Sequence, residues 1–230
     1  MRKIILSSVI SVALGTASFA GFAATTATLA VKGSIQPTAC DISLSAASFD
    51  FSTISAASLT QPINSKMGDP LTLDLACSGA TAVAVQVTDN RAASAMTTAE
   101  VQSDMGVNMG TATTNASLFG IGTHSTDKKV GFLQLSLSEA KLNGAASSNV
   151  LTSSDKITWN VLTVSPSKRF SLEKNGYFSL ATSASASTPA AVTNASYTIT
   201  PAIVLKKSSQ YPGGEAINID GNVTFSVVYI

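Results

Sequence analysis

Short segments in which apolar residues recur at every second position dominate the sequence, and this pattern limits the chain to a β-rich fold. Alternation with period two places one set of side chains on the buried face of a strand. Gly, Asn, Asp, Ser and Pro separate the segments, and only 97–105 ("TTAEVQSDM") has helical character. Many short strands without a long helix predict an all-β sandwich or barrel. We predict strands over 26–35, 48–54, 70–76, 82–88, 129–138, 157–164, 176–182, 196–205 and 222–229.

The first residues have the pattern of a secretory signal. Arg2 and Lys3 precede the apolar run "IILSSVISVALG", and small residues follow, with possible cleavage after Ala20 or Ala23. The run is too short to span a bilayer, which favours a cleaved signal peptide over a retained anchor. We therefore expect a signal peptide over 1–23 and export of the rest of the chain.

Composition and motifs argue against several classes of function. Only 12% of residues are charged and the net charge is +1, so nothing favours binding to nucleic acid or to an anionic membrane surface. His124 is the only histidine and lies in "GIGTHSTDKK", which we interpret as a polar turn. The fragment lacks the third glycine of a dinucleotide-binding loop, and no nucleophile elbow, phosphate loop or His-rich metal spacing occurs. We expect no enzymatic activity, no cofactor and no metal.

Two cysteines, Cys40 and Cys77, remain in the exported chain. In an oxidising compartment a pair of cysteines favours a disulfide, and two separate buried thiols are the alternative. We predict the disulfide.

The chain shows no internal repeat and no clear linker, so we expect one domain over 36–230 behind an N-terminal extension over 24–35. Low-complexity stretches at 89–117, 140–155 and 183–195 predict surface loops. We interpret 89–128 and 140–155 as long insertions. The first of these exceeds an ordinary connection, which leaves both a functional loop and a tolerated insertion open.

The N-terminal extension and the C-terminal end of the domain both have strand character. In "TATLAVKGSI" one face carries Ala27, Leu29, Val31, Gly33 and Ile35, and in "GNVTFSVVYI" one face carries Val223, Phe225, Val227 and Tyr229. Each alternation implies a buried face. The two strands could pair with each other within one molecule, or each could pair with another molecule.

Several of these stretches together resemble the chaperone-usher fimbrial (pilin-like) subunit family. "TATLAVKGSIQPTAC" is similar to the pilin N-terminal extension that runs to the first cysteine, and "FDFSTISAASL" to the stretch after it. "LTLDLACSGATAVAVQV" is similar to the strand with the second cysteine, and the C-terminal strand with penultimate Tyr229 to the pilin C-terminal pattern. The resemblance covers about 24–88 and 196–230, and the long middle of the chain suggests an outlying fimbrial-like member.

The resemblance implies an incomplete immunoglobulin-like β-sandwich that a strand from another molecule completes by donor-strand exchange. An open sheet edge exposes apolar core and unpaired backbone groups, and an added strand covers both. By resemblance, the donor strand contains Thr25, Ala27, Leu29 and Val31. The chaperone-facing strand contains Val223, Phe225, Val227, Tyr229 and Ile230, and Cys40 and Cys77 correspond to the family disulfide.

The implied partners are a periplasmic chaperone, an outer-membrane usher and neighbouring pilin subunits, in a fimbrium on the bacterial surface that supports cell adhesion. Ile217 stands where pilins usually have a glycine, fourteen places from the end. Two alternatives remain open: a non-polymerising exported β-sandwich, and an adhesin that binds a host or surface glycan. For an adhesin, Trp159 or Tyr177 could stack on a sugar, although alternate aromatic residues in strands are mostly core.

Overall fold

A computed structural model describes residues 26, 28–111, 113–125 and 127–230. The signal peptide predicted over 1–23 lies outside the described residues, as do Thr25 and Ala27 of the expected donor strand. The chain divides into two compact units, 1–36 and 37–230. In the first unit, residues 28–36 belong to no strand, and Leu29, Val31 and Ile35 are exposed.

The second unit is built almost entirely from β-strands, so the prediction of an all-β fold is confirmed. Its one α-helix among the described residues, α1, covers Thr98–Met105. The strands are β1 Cys40–Leu44, β2 Asn64–Met67, β3 Leu71–Asp89, β4 Phe119–Gly120, β5 Thr123–His124, β6 Lys128–Lys129, β7 Gly131–Leu142, β8 Ala145–Ser147, β9 Asn149–Ser153, β10 Asn160–Thr163, β11 Phe170–Ser171, β12 Tyr177–Leu180, β13 Ala191–Leu205 and β14 Val223–Tyr229.

One curled antiparallel sheet contains most of the strands. Its central order is β10-β9-β12-β3-β13-β7-β11, and β5 and β6 form a separate hairpin. The strand β3 belongs to both halves of the sheet, because its first half pairs with β1 and β13 while its second half pairs with β12 and β14. The curl therefore brings the two halves face to face, as in a β-sandwich.

The main core fills the space between these two halves. Phe178 of β12 contacts Tyr197 of β13 edge to face, with ring centroids 4.9 Å apart. Both side chains are buried, together with Val85 and Leu73 from the two halves of β3. Aromatic pairs in this geometry stabilise a fold beyond the contribution of burying their surface. This contact therefore helps to hold the two sheet halves together.

A second, smaller core lies under the segment between β3 and β7. Met96, Val101, Met105 and Leu118 from this segment pack on Phe132 and Val204 of the sheet. Thr97 caps α1, since its side chain accepts a hydrogen bond from the amide of Glu100, whose carboxylate accepts one from the amide of Thr97. Such a capping box fixes the start of a short helix. The segment is therefore packed on the sheet, and not a bare surface loop as we expected for 89–117.

The strand predictions are partly confirmed. The segments 70–76 and 82–88 have strand structure, but they form the single strand β3. A strand of the structure overlaps each of the segments 129–138, 157–164, 176–182, 196–205 and 222–229. The predictions over 26–35 and 48–54 are wrong, since 48–54 and the described residues of 26–35 form no strand. The loop predicted at 140–155 is also wrong, because the end of β7, all of β8 and all of β9 lie there, and β13 begins inside 183–195. In the described part of the chain, no helix is long and apolar enough to cross a membrane.

Candidate functional site: an open groove beside the last strand

The strand β14 has a partner on one side only. It pairs with β3 from Val223 opposite Asp89 to Tyr229 opposite Val83, and no other strand of the described chain pairs with it. The outer edge of β14 therefore presents backbone N–H and C=O groups without a ladder. Free edges of this kind bind an additional strand readily.

The inward side chains of β14 are less buried than the residues opposite them on β3. Val85 and Val87 are 0% and 1% exposed, whereas their partners Val227 and Phe225 are only half-buried. Residues directly opposite in a ladder point to the same face of a sheet. The difference shows that the apolar face of β14 lacks a neighbour on its outer side.

An apolar groove occupies this position. One wall is the stretch from Leu44, the last residue of β1, to Phe51, and the other is the stretch from Ile219 to Phe225. The floor consists of core side chains from the facing sheet half, and this part of the groove has a volume of about 340 Å³. The apolar floor residues are Leu71, Ile121, Leu133, Leu135, Ile199 and Ile203.

The groove continues as a second and larger cavity of about 920 Å³. Phe49, Phe51 and Ile219 line both parts, so the two cavities adjoin. In the second part the walls are the stretches 49–56 and 211–219. We call 211–219 the wall segment and the two cavities together the groove. An elongated channel between two chain segments, with an apolar floor in its first part, suits an extended peptide better than a compact small molecule.

Two features hold the walls in position. The carbonyl of Phe51 accepts a hydrogen bond from Lys66 Nζ on β2. At the other wall, the amide of Asp220 donates to Ile121 O at 2.9 Å, and the Asp220 carboxylate pairs with Arg91 at 2.8 Å. The hydrogen bond from Arg91 to Asp220 and the charge of that carboxylate raise the pKa of Arg91. These contacts tie both walls of the groove to the rest of the domain.

The residues expected to contact a chaperone lie at this open edge. Val223, Phe225 and Val227 face the core, and Ile230 is 46% exposed. Tyr229 is 52% exposed, and its hydroxyl accepts a hydrogen bond from the Cys40 amide at 2.8 Å. Contact of these residues with a chaperone stays a prediction.

The predicted disulfide is confirmed, since Cys40 at the start of β1 is bonded to Cys77 of β3. It fixes the strand that leads into the first wall of the groove.

Of the expected donor residues, Leu29 and Val31 are 87% and 88% exposed. Covering apolar side chains that are this exposed with another surface is favourable, because it removes apolar area from water. Their role as donor residues stays a prediction.

The two aromatic residues considered for sugar stacking are engaged within the fold. Trp159 is 8% exposed and packs on Ala84, Leu151 and Ala181, so the interpretation as a core residue is confirmed. Its Nε1 donates to Lys156 O at 3.1 Å. Lys156 Nζ lies 5.7 Å from the centroid of the Tyr177 ring. Trp159 therefore offers no free face for a sugar.

His124 differs from its interpretation as part of a polar turn. It is 7% exposed and contacts the ring of Tyr211 edge-on. Burial, followed by the charges of Lys206 and Lys128, lowers the pKa of His124. The polar residues next to His124 in the sequence favoured an exposed position. The hairpin β5–β6 instead turns the side chain of His124 toward the domain.

Sequence reasoning missed the second wall of the groove. In "AINID" Ile217 and Ile219 alternate, and both pack against the main core. This short alternation was a usable signal, but the neighbouring glycines and proline favoured a loop.

The fold and the site together define an all-β protein whose sandwich is open along the edge of its last strand. The model of a family described as "Protein of unknown function (DUF1120)" matches residues 29–134. The match therefore includes the exposed stretch around Leu29 and Val31, the first wall of the groove and all of β3. No curated protein matches the chain.

Proposed function

We propose that this protein is a structural subunit of a chaperone-usher fimbria. Its groove accepts a strand from a neighbouring molecule, and its own N-terminal stretch over 24–35 fills the groove of the next subunit. One observation carries the proposal: an apolar groove runs beside the unpaired edge of β14 while its lining side chains belong to the core. A periplasmic chaperone would cover the groove first, and an outer-membrane usher would exchange the chaperone for the next subunit.

The energetics favour a strand as the occupant. Each buried aliphatic side chain contributes about 1.5–3 kcal/mol, and each added backbone hydrogen bond roughly 0.5–1.5 kcal/mol. The stretch over 24–35 offers exposed Leu29, Val31 and Ile35, which would share one face of an extended strand, with Gly33 between the last two. The groove offers a free strand edge and an apolar floor. The two surfaces therefore match in both side-chain and backbone chemistry.

A peptide experiment tests the proposal. A chain lacking 24–32 is mixed with a labelled peptide of residues 24–35, and binding is followed by fluorescence anisotropy and native mass spectrometry. We expect a one-to-one complex. A peptide with Leu29→Asp and Val31→Asp should not bind, because it would place two carboxylates on the apolar floor.

The matched control peptide has Thr28→Asp and Ala30→Asp. It carries the same added charge on the opposite face, and we expect it to bind. Equal loss of binding for both altered peptides, or no complex with the original peptide, would contradict the proposal. In cells, the chain lacking 24–32 should still be protected by the chaperone but should not extend a polymer.

A further inference from the structure

His124 is buried at the end of β5 without a polar partner. It is 7% exposed, and neither Nδ1 nor Nε2 has a hydrogen-bond partner among the described residues. Buried polar atoms in folded proteins are nearly always hydrogen-bonded. In such a site a neutral imidazole lowers the stability of the fold to some extent, and a charged imidazolium lowers it much more.

The ring of His124 contacts the first residue of the wall segment. Its centroid lies 5.2 Å from that of Tyr211, with the two planes 62° apart. The Tyr211 hydroxyl donates to Val130 O at 2.7 Å and accepts from the Lys206 amide at 2.8 Å. Burial raises the pKa of Tyr211 to about 12. This tyrosine thus joins the wall segment to the end of β13 and to the residue that follows the β5–β6 hairpin.

Charged groups surround His124 on three elements, and Asp127 lies in the turn of its own hairpin. Lys128 stands opposite His124 in the hairpin, and Lys206 approaches from the end of β13. On α1, Asp104 pairs with Lys206 at 2.6 Å and Glu100 pairs with Lys129 at 2.8 Å. A proton on His124 would therefore add a positive charge beside Lys128 and beside Lys206, whose own charge is paired with Asp104.

We propose that His124 is a proton-sensitive latch for the wall segment: protonation in mild acid breaks its packing on Tyr211 and loosens this side of the groove. The buried ring, its contact with Tyr211 and the two neighbouring lysines carry the inference. Its consequence for strand binding rests on the proposed function. The latch itself concerns only the stability of the wall.

The direction of the pH effect follows from linkage. With the pKa of His124 lowered in the closed state, the open state binds the proton first as the pH falls below about 6.5. The closed wall is therefore fully stable above this pH and loses stability as the pH falls toward the lowered pKa. Between pH 7.5 and 5.5 the opening equilibrium should rise by up to about tenfold.

Amide hydrogen exchange on the full exported chain tests the latch. The reporter is the Lys206 amide, whose acceptor is the Tyr211 hydroxyl, and the Val87 amide, bonded to Gly176 O, reports on the sheet away from the wall. We expect the protection factor of Lys206 to fall up to about tenfold between pH 7.5 and 5.5 while that of Val87 changes less. In His124→Phe, which keeps a ring but cannot titrate, the fall at Lys206 should disappear.

If phenylalanine prevents folding, His124→Gln provides a second variant that does not titrate, with the same expectation. A pH-dependent fall of equal size in the wild type and in the folded variant would overturn the latch, as would no fall in the wild type.

Peptide binding at both pH values separates this inference from the proposed function. A loss of protection that depends on His124, without binding of the 24–35 peptide at either pH, would keep the latch and reject strand exchange. Peptide binding with protection that does not depend on His124 would reject the latch alone.

Discussion

At the residue scale, the Cys40–Cys77 disulfide stabilises one side of the groove. The two cysteines are directly opposite in the β1–β3 ladder, and the amide of Cys40 also donates to the hydroxyl of Tyr229. The same residue therefore connects the start of β1 to β3 and to the end of β14. The disulfide was predictable from the sequence, because an exported chain meets an oxidising compartment. The apolar face of β14 was predictable because alternation with period two places one set of side chains on one face of a strand.

Removal of this disulfide should destabilise the exported domain. The cysteines are 37 residues apart, and the chain-entropy model gives roughly 3–4 kcal/mol for closing a loop of this length. We expect the free energy of unfolding of Cys40→Ser/Cys77→Ser, measured by denaturant titration, to be lower by that amount. Wild-type protein unfolded under reducing conditions serves as the control. An unchanged denaturation midpoint, both in the double variant and in the reduced wild type, would show that the disulfide does not stabilise the domain by restricting the unfolded chain.

At the element scale, the sequence predicted side-chain faces better than strand boundaries. Two predicted strands merge into β3 because the small residues at 78–82, which resemble a turn signal, continue as extended backbone, and Thr81 and Ala82 pair with β13. In the predicted strand over 48–54, Phe49 and Phe51 alternate and pack on the core, and Ile54 also packs on it although it breaks the alternation. They form no strand, because a strand assignment requires a ladder partner, and these residues line the open groove.

The error over 140–155 has a different cause. The sequence there is polar and of low complexity, and its strands are defined by tertiary pairing rather than by local preference. Residues of β9 pair with β10 on one side and with β12 on the other. Strand formation that depends on ladder partners outside a segment is not visible in that segment alone.

The packing of β7 on β13 provides a prediction at this scale. A Cβ added at Gly131 would lie 2.1 Å from Val204 O on β13, so Gly131→Ala must separate the two strands. We expect a loss of about 1–3 kcal/mol in the free energy of unfolding. Because β7 also supplies Leu133 and Leu135 to the groove floor, the affinity for the 24–35 peptide should fall as well.

Gly213→Ala is the matched control for this change. No atom lies within 4 Å of its added Cβ, so its stability should stay within about 1 kcal/mol of the wild type. Denaturant titration of both variants measures the difference. Equal free energies of unfolding for the two variants would show that β7 can move away from β13 without a loss of stability.

At the scale of the whole molecule, the described structure is a domain whose core stays open along one edge. The floor of the groove belongs to the same cluster of apolar residues as the center of the sandwich, so an occupant would extend that core rather than cover a separate surface. This property could not be predicted from the sequence alone. Alternation in β14 shows that a face is buried, but it does not show which molecule buries it.

A chain that carries its own donor segment tests this property directly. The segment 24–35 is removed from the N-terminal end and attached behind Ile230 through a flexible linker, so that it can reach the groove of the same molecule. We expect a monomer with a higher midpoint in thermal unfolding than the chain lacking 24–35, because three apolar side chains and a new ladder are added to the fold. The control carries Leu29→Asp and Val31→Asp in the attached segment, and it should unfold at the lower midpoint. If the attached segment raised the midpoint equally with and without these aspartates, the gain would come from the tether itself, and the groove would not be an acceptor for the strand.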